Sequence, residues 1–244
     1  MHIERSGSGT RVLLLHGAGV AGWMWRPVRE LLGADGDPVE TIVPDLPGHG
    51  RSSAEPYVSH SETLAALAPL LAEGPLHVVG FSLGAQLALE LASRHPDLIR
   101  SATIVSGSTL PSKGEWIAAG VVRAAMPLAR RMRFARRQAA EMSIPADLVD
   151  DFVRDSGTLG TESLVTAFRE NMRFALPEGW ARYPGPAHVM VGERELRAVH
   201  RSAAHTHAAL PHSTLETVPA CAHDVPFTRP DTVVRALRAG IVAA

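Results

Sequence analysis

Residues 76–92, LHVVGFSLGAQLALELA, join a short apolar run to a helical segment through a serine that stands between two glycines. The run Leu76–Val79 is typical of a buried strand, and the residues after the serine have the apolar spacing of an amphipathic helix. Gly80, Ser82 and Gly84 fit the G-x-S-x-G spacing of a sharp strand-to-helix turn. Such a turn strains the serine backbone and exposes its hydroxyl. The stretch predicts a nucleophilic serine, with a glycine-rich turn of no chemical role as the alternative.

Short β-rich runs alternate with amphipathic segments along most of the chain. Six strands are predicted, at Val12–Leu15, Thr41–Val43, Leu76–Val79, Ala102–Val105, Ala187–Val191 and Thr214–Val218. Helices are predicted at Trp25–Leu32, Glu62–Leu71, Gly84–Arg94 and Thr232–Val242. Because the strand runs are apolar throughout rather than alternating in polarity, we expect both faces of the sheet to be covered. The pattern predicts an α/β protein with a doubly wound, mostly parallel sheet.

The alternation of strands and helices stops between about Leu110 and Tyr183. Four helices are predicted there, at Glu115–Met126, Leu128–Met142, Ala146–Asp155 and Ser163–Phe174. A joint rich in proline and glycine then precedes the next strand. We therefore expect a core of residues 1–109 and 184–244, with an inserted all-helical cap over residues 110–183 at one end of the sheet.

Composition excludes several classes of protein. The 244 residues are 45% hydrophobic and 20% charged, and the net charge of −1 provides no basic field for nucleic acid. The single cysteine, Cys221, excludes an internal disulfide framework. No apolar run approaches the roughly 18 residues of a membrane span, and the N-terminus lacks the pattern of a secretion signal. We expect a cytoplasmic protein without nucleic-acid or membrane partners; its oligomeric state is not predicted.

Five motifs follow the predicted strands in a recognisable order. They are HGAGVAGWMW at 16–25, DLPGHGRSS at 45–53, GFSLG at 80–84, VGERE at 191–195 and AHDVPFTRPD at 222–231. In this order, and over essentially the whole chain, the sequence resembles the α/β-hydrolase superfamily. The resemblance implies the α/β-hydrolase fold with a helical cap and a serine hydrolase mechanism that needs no metal and no cofactor.

The resemblance also assigns the partners of the serine. A serine hydroxyl needs a base within hydrogen-bond reach, and the superfamily places it where His223 stands, after the last strand. The superfamily's usual aspartate is replaced here by Glu195, whose carboxylate would fix the imidazole tautomer. Glu193 is the nearest competitor for this role, and Asp224, which adjoins the base, is a weaker one.

By the same resemblance, the oxyanion hole consists of the backbone N–H groups of Leu83 and Ala18. The residues expected around the substrate are Gly17, Trp23, Trp25 and Phe81. For one of the two tryptophans, packing in the core is the alternative. His16 and His49 are expected to shape loops rather than to move protons.

A cluster of histidines and a run of arginines are given no catalytic role. His200, His205, His207 and His212 lack the spacing and the accompanying carboxylate of a zinc-binding helix, so no metal site is predicted. The arginine run consists of Arg130, Arg131, Arg133, Arg136 and Arg137. It is either a solvated helix face or a docking patch for an acidic carrier or anionic substrate.

The sequence therefore predicts a serine hydrolase that cleaves a small to medium carboxylic ester, thioester or lactone through an acyl-enzyme on Ser82. An apolar substrate is expected because the cap is rich in Ala, Val, Leu and Met. Cofactor-free haloperoxidases and carbon–carbon bond hydrolases use the same triad, and some superfamily members act as ligand sensors. These three functions stay open as alternatives.

Overall fold

The structure is a computed structural model that describes residues 1–34 and 37–244. Its seven strands are β1 (Ile3–Ser6), β2 (Thr10–Leu15), β3 (Val39–Pro44), β4 (Leu76–Phe81), β5 (Ile99–Val105), β6 (Ala187–Gly192) and β7 (Thr214–Val218). They form one sheet in the order β1-β3-β2-β4-β5-β6-β7. Only β1 runs antiparallel to its neighbour; the other pairs are parallel. The predicted mostly parallel sheet is confirmed, and all six predicted strands belong to it.

The edge strand β1 was not predicted. It pairs with β3 in a register that sets Ile3 opposite Pro44 and Ser6 opposite Thr41. Most of its residues are exposed, and its centre is Glu4 and Arg5. A strand that forms by backbone pairing at an edge needs no apolar run, so hydrophobic patterning does not detect it.

The described part of the chain contains ten α-helices. They are α1 (Arg26–Ala34), α2 (His60–Ala72), α3 (Leu83–Arg94), α4 (Glu115–Ala129), α5 (Met132–Glu141), α6 (Val149–Thr158), α7 (Thr161–Arg173), α8 (Arg197–Ala209), α9 (Val225–Thr228) and α10 (Pro230–Ala243). Short 3₁₀ helices occur at Gly22–Trp25, Gly50–Ser52, Ala146–Leu148 and Glu178–Arg182. Helix α8 contains three of the clustered histidines. Its bounds were not predicted, because its buried residues Val199, Ser202, Ala203 and Thr206 include only one large aliphatic side chain.

Helices cover both faces of the sheet, as the continuous apolar strands predicted. In β2, Leu13 and Leu15 join a hydrophobic core with residues of α2 and α3. Val12 and Leu14, which point the other way, join a second core with α1 and α10. Successive side chains of a strand point to opposite faces, so each strand must be apolar at every position to fill both cores.

The four helices predicted between β5 and β6 are present as α4, α5, α6 and α7. Helix α4 continues through Pro127 to Ala129, whereas the prediction ended it at Met126. The proline lies in the last turn, and the Arg130 N–H still donates to the Met126 carbonyl at 3.1 Å. The limits of the cap, residues 110–183, stay a prediction. No helix in the described ranges has the length and hydropathy to cross a membrane.

Candidate active site

Ser82 lies where β4 passes into α3, in a backbone conformation that L-amino acids rarely adopt. Its φ is 54° and its ψ is −111°. The Ser82 N–H donates to the Val105 carbonyl at 2.9 Å, and the Ser82 carbonyl accepts from the Ala85 N–H at 3.1 Å. These hydrogen bonds on both sides of the turn maintain the strain. The serine remains partly exposed, so the turn presents it at the carboxyl edge of the sheet.

Two glycines permit this turn because other backbone segments approach them closely. A Cβ atom on Gly80 would lie 2.2 Å from the Gly84 carbonyl oxygen. A Cβ atom on Gly84 would lie 2.1 Å from the carbonyl oxygen of Leu15, in β2. Neither position therefore has room for a side chain, since backbone atoms cannot move aside as side chains can. These two close approaches explain why glycine stands two residues before and two residues after Ser82 in this chain.

His223 and Glu195 form a hydrogen-bonded pair. The Nδ1–H of His223 donates to Oε2 of Glu195 at 2.9 Å. The Glu195 side chain is 1% exposed and that of His223 is 50% exposed. A buried carboxylate requires partners, and Oε1 of Glu195 also accepts from the Gly192 N–H at 3.2 Å. Because Nδ1 faces the carboxylate, the assigned tautomer leaves a lone pair on Nε2, where a base would accept a proton.

The two competing carboxylates are engaged elsewhere. Glu193 accepts a hydrogen bond from the Ala220 N–H at 2.9 Å. Asp224 accepts one from the Ala222 N–H at 2.8 Å. Among the described residues, neither carboxylate bonds to the imidazole of His223. The geometry therefore favours Glu195 as the acid that orients the base.

Ser106 contacts Glu195, although no role was predicted for it from the sequence: it stands at the alternative position for the acid, after the strand that ends in Val105, where no carboxylate is present. Its hydroxyl donates to Oε1 of Glu195, and its N–H donates to the Met190 carbonyl at 2.8 Å. Its φ of 56° lies in the left-handed region, one residue after the end of β5 at Val105. The available signal was its position directly after a buried strand, since the carboxyl ends of parallel strands meet at one edge of the sheet.

His223 lies beside Phe81, the residue that precedes Ser82. The ring of His223 packs on the ring of Phe81, with 4.8 Å between the ring centroids. Within the described residues, the Ser82 hydroxyl forms no hydrogen bond. Hydrogen bonds between catalytic groups are often formed only in the substrate complex. The structure thus pairs Glu195 with His223 and packs His223 on Phe81, without a hydrogen bond between His223 and Ser82 among the described residues.

Two backbone N–H groups near Ser82 are uncommitted. Those of Leu83 and Ala18 donate no hydrogen bond within the described part of the chain. Leu83 is the first residue of α3, where N–H groups have no acceptor inside the helix. Gly17 brings the other loop to the serine, because a Cβ atom there would lie 3.4 Å from the Ser82 Cβ atom. An oxyanion needs two donors of this kind.

His16 and His49 support the loops in their neutral forms. Nδ1–H of His16 donates to the Gly17 carbonyl at 2.8 Å, and Nε2 accepts from the Leu46 N–H at 2.9 Å. Burial lowers the pKa of His16 to about 4 and that of His49 to about 3. Both imidazoles are therefore neutral near pH 7, which agrees with the loop-shaping role expected for them.

An apolar pocket of about 160 Å³ lies between the Ala18 loop and the inserted helices. Its apolar walls include Met126, Met142, Phe152, Leu159, Leu164 and Phe168. A Cβ atom on Gly19 would lie 3.9 Å from Cδ1 of Leu164, so the loop contacts this wall. Residues 17–19 therefore lead from the serine at one end to the pocket at the other.

The two tryptophans expected around the substrate have different environments. Trp25 is fully buried in the core shared with α1 and α10, which is the alternative expected for one of the pair. Trp23 is half-buried, and its Nε1–H donates to Asp155 at 2.8 Å. Its ring stacks on the ring of Phe227, with 6.3 Å between the ring centroids. Neither tryptophan lines the apolar pocket, and Trp25 has no exposed surface to offer a substrate.

The clustered histidines have separate partners. Nδ1 of His207 contacts the Ser213 hydroxyl at 2.8 Å, whereas His200 and His212 each bond to a backbone carbonyl. No set of three or more His, Cys, Asp or Glu side chains within residues 1–34 and 37–244 is arranged to hold a metal ion.

A family model described as "Alpha/beta hydrolase family" matches residues 12–236, a span that contains all five motifs. The chain belongs to the alpha/beta hydrolase family. This alpha/beta hydrolase is 40% identical over 111 residues to pimeloyl-[acyl-carrier protein] methyl ester esterase of Chromobacterium violaceum. That alignment covers 44% of this chain and 41% of the relative, so less than half of the relative is matched.

Solved structures resemble the alpha/beta hydrolase over nearly its whole length. A bromoperoxidase from Bacillus anthracis matches with a TM-score of 0.82 at 17% identity, covering 98% of this chain and 94% of that one. The enol-lactonase from Burkholderia xenovorans LB400 matches with a TM-score of 0.78 at 18% identity, covering 99% and 96%. At such identities the likeness establishes the fold alone, because one fold serves many chemistries.

Proposed function

We propose that this chain is a serine hydrolase that cleaves a small to medium apolar ester, thioester or lactone through an acyl-enzyme on Ser82. The observation that carries the proposal is the pair of buried Glu195 and half-exposed His223 beside the strained serine turn. Serine is a weak nucleophile near pH 7, and a base held in one tautomer is what activates it. The name of the methyl ester esterase relative supports an ester as the substrate.

In the proposed first half-reaction, Nε2 of His223 removes the proton of the Ser82 hydroxyl while Oγ attacks the carbonyl carbon. The N–H groups of Leu83 and Ala18 would stabilise the negative charge on the carbonyl oxygen. Glu195 would stabilise the imidazolium that forms. His223 then gives its proton to the leaving group, and the acyl group stays on Ser82.

In the second half-reaction, His223 removes a proton from water, which attacks the acyl-enzyme. As the bond between the acyl carbon and Ser82 Oγ breaks, His223 returns the proton to Oγ and the acid is released. Both steps require Ser82 Oγ and His223 Nε2 to come within hydrogen-bond distance when substrate is bound. The half-exposed imidazole leaves the base accessible to water for this step.

The pocket beside the Ala18 loop is the proposed binding site of the acyl group. A cavity of roughly 150 Å³ with apolar walls holds one benzene molecule, so about 160 Å³ corresponds to an acyl group of about six carbon atoms. Each buried methylene contributes about 0.8 kcal/mol, or about fourfold in kcat/KM.

We expect kcat/KM for p-nitrophenyl esters to rise about fourfold per methylene from acetate to about the six-carbon acyl group and then to fall. The pocket-lining substitution Ala129→Leu should move the optimum to shorter acyl groups, because it reduces the volume. Ala140→Leu, on the exposed side of α5, is the matched control. Initial rates over many turnovers measure the profile. A profile independent of acyl length would contradict this location for the acyl group.

The same assay separates the alternative functions. Many turnovers with ordinary steady-state kinetics would argue against a ligand sensor, whereas one slow turnover would favour one. Haloperoxidase chemistry requires hydrogen peroxide as the acyl acceptor in place of water, and a carbon–carbon bond hydrolase requires a diketone substrate. No contact among residues 1–34 and 37–244 favours these chemistries over ester hydrolysis.

For the partner, we propose that an acidic carrier presents the acyl group at helix α5. All five arginines of the run are exposed. Arg136 and Arg137 pair with exposed carboxylates, which contributes little at a surface. Arg131 and Arg133 have no partner among the described residues. The same helix supplies Gln138 to the pocket, and the relative's name includes an acyl carrier protein.

The double substitution Arg131→Glu/Arg133→Glu should raise KM about tenfold for an acyl group on an acidic carrier protein at low salt. It should leave p-nitrophenyl esters unchanged, because these need no docking surface. High salt should reduce the difference, since exposed charges are screened over about 10 Å at 0.1 M. Arg201→Glu, at an exposed position on α8, is the control. An equal change for both substrates, or none, would exclude docking at these arginines.

A further inference from the structure

The acyl pocket contains one polar side chain that the protein does not satisfy. Among the residues that line it, the polar ones are Ser156 and Gln138. The Ser156 hydroxyl already donates to the Phe152 carbonyl at 2.8 Å. The Gln138 amide, half-buried on α5, has no hydrogen bond to any described residue. It is therefore the side chain in the pocket with unused donors and an unused acceptor.

An unused amide beside an apolar cavity favours some occupants over others. A purely alkyl group that fills the cavity removes water from the amide and offers no hydrogen bond in return, which offsets part of the free energy gained by burying its methylenes. A group with an oxygen atom at the right depth replaces that water. No charged side chain is among the described lining residues, so a carboxylate would be buried without a counter-ion. The pocket thus fits a neutral oxygen substituent better than a hydrocarbon or an anion.

We propose that Gln138 determines specificity by hydrogen bonding to a neutral oxygen group, such as a keto or hydroxyl group, on the acyl chain of the substrate. The Nε2–H groups of the amide donate to a keto oxygen, and Oε1 accepts from a hydroxyl group. This assignment rests on the proposed function only for the identity of the ligand as an acyl group; the recognition itself is a binding property of the pocket.

The test compares p-nitrophenyl levulinate, which carries a keto group, with p-nitrophenyl valerate, its hydrocarbon counterpart of equal chain length. In a longer pair, the p-nitrophenyl esters of 4-acetylbutyrate and caproate, the keto group lies one carbon further from the ester. For at least one pair, we expect the ratio of kcat/KM for the keto ester to kcat/KM for the alkyl ester to be about five- to tenfold higher in wild type than in Gln138→Met. This difference is the value of one hydrogen bond. Methionine keeps the length of the side chain and removes its hydrogen bonds. Comparing the ratio between variants cancels the intrinsic reactivity of each ester.

Two controls accompany this comparison, one with a shorter substrate and one with a substitution outside the pocket. Acetate is too short to fill the pocket, so its hydrolysis should change less than about twofold in Gln138→Met. Ala140→Gln places an amide on the exposed side of the same helix and should keep the wild-type ratio. Equal keto-to-alkyl ratios in wild type and Gln138→Met, for both pairs, would overturn the assignment.

A binding measurement separates this inference from the proposed function. Methyl levulinate and methyl valerate are titrated into the Ser82→Ala protein, with and without Gln138→Met, and Kd is measured. If the keto ester binds more tightly in a Gln138-dependent way but wild type cleaves no ester, the proposed function fails and the role of Gln138 stands. If wild type cleaves esters but neither measurement depends on Gln138, only the assignment of Gln138 fails.

Discussion

The Ser82→Ala variant is expected to lose kcat for p-nitrophenyl esters by a factor on the order of 10⁵ to 10⁶. The reason is that alanine removes the only atom that could form the proposed acyl-enzyme, while the turn that presents it stays in place. Alanine has a Cβ atom like serine, so the close approaches at Gly80 and Gly84 are unchanged. The residual rate would come from the uncommitted N–H groups, which still stabilise an oxyanion when water attacks directly.

Intact-mass spectrometry with a fluorophosphonate tests the nucleophile without any choice of substrate. Wild type should gain the mass of one phosphonyl group, and Ser82→Ala should gain none. Ser8→Ala, at an exposed serine near the N-terminus, should react like wild type. An adduct that persists in folded Ser82→Ala would place the nucleophile at another residue and would exclude the proposed mechanism.

The Glu195→Gln variant is expected to lower kcat by about 10³- to 10⁴-fold, as neutralising a triad carboxylate does. Glutamine can still occupy the site, but it carries no charge to stabilise the imidazolium of His223. The effect should be large because Glu195 is 1% exposed, so water screens little of its interaction with the base. Steady-state kinetics measure the loss, and circular dichroism checks that the fold is intact.

Glu193→Gln is the matched control, two residues away on the same segment. Its carboxylate accepts one hydrogen bond from a backbone N–H, which a glutamine oxygen can also accept. We expect a change of less than about twofold in kcat. If Glu193→Gln instead caused the large loss and Glu195→Gln the small one, the acid would be Glu193 and the pair with His223 would have no catalytic meaning.

Many elements of the core could be predicted from the local pattern of apolar residues. The elements that were missed have weak patterns of this kind. Strands such as β2 must be apolar at every position because they face two cores, so their composition reveals them. The edge strand β1 and the alanine-rich helix α8 carry weaker apolar signals, so patterning missed both. Helix α4 continues for two residues past Pro127 although the proline donates no hydrogen bond, and the Arg130 N–H still closes the last turn on the Met126 carbonyl.

The turn at Ser82 could also be predicted, because its requirement is local. Gly80 and Gly84 lie two residues either side of the serine, and a side chain at either would strike a backbone carbonyl. The amino-acid type at these positions therefore reports the geometry directly. The composition of the inserted helices likewise predicts apolar surfaces, and Met126 and Leu164 of these helices are among the apolar walls of the pocket. That the substrate is apolar stays a prediction.

Contacts between segments that are distant along the chain could not be predicted from the local sequence. His223 meets Glu195 across 28 residues of chain, and Ser106 meets the same carboxylate across 89. Whether Glu193 or Glu195 faces the base depends on how the segment after β6 bends, and whether Gln138 finds a partner depends on four helices packing together. Amino-acid type limits what each side chain can do, but packing selects the neighbours with which it does so.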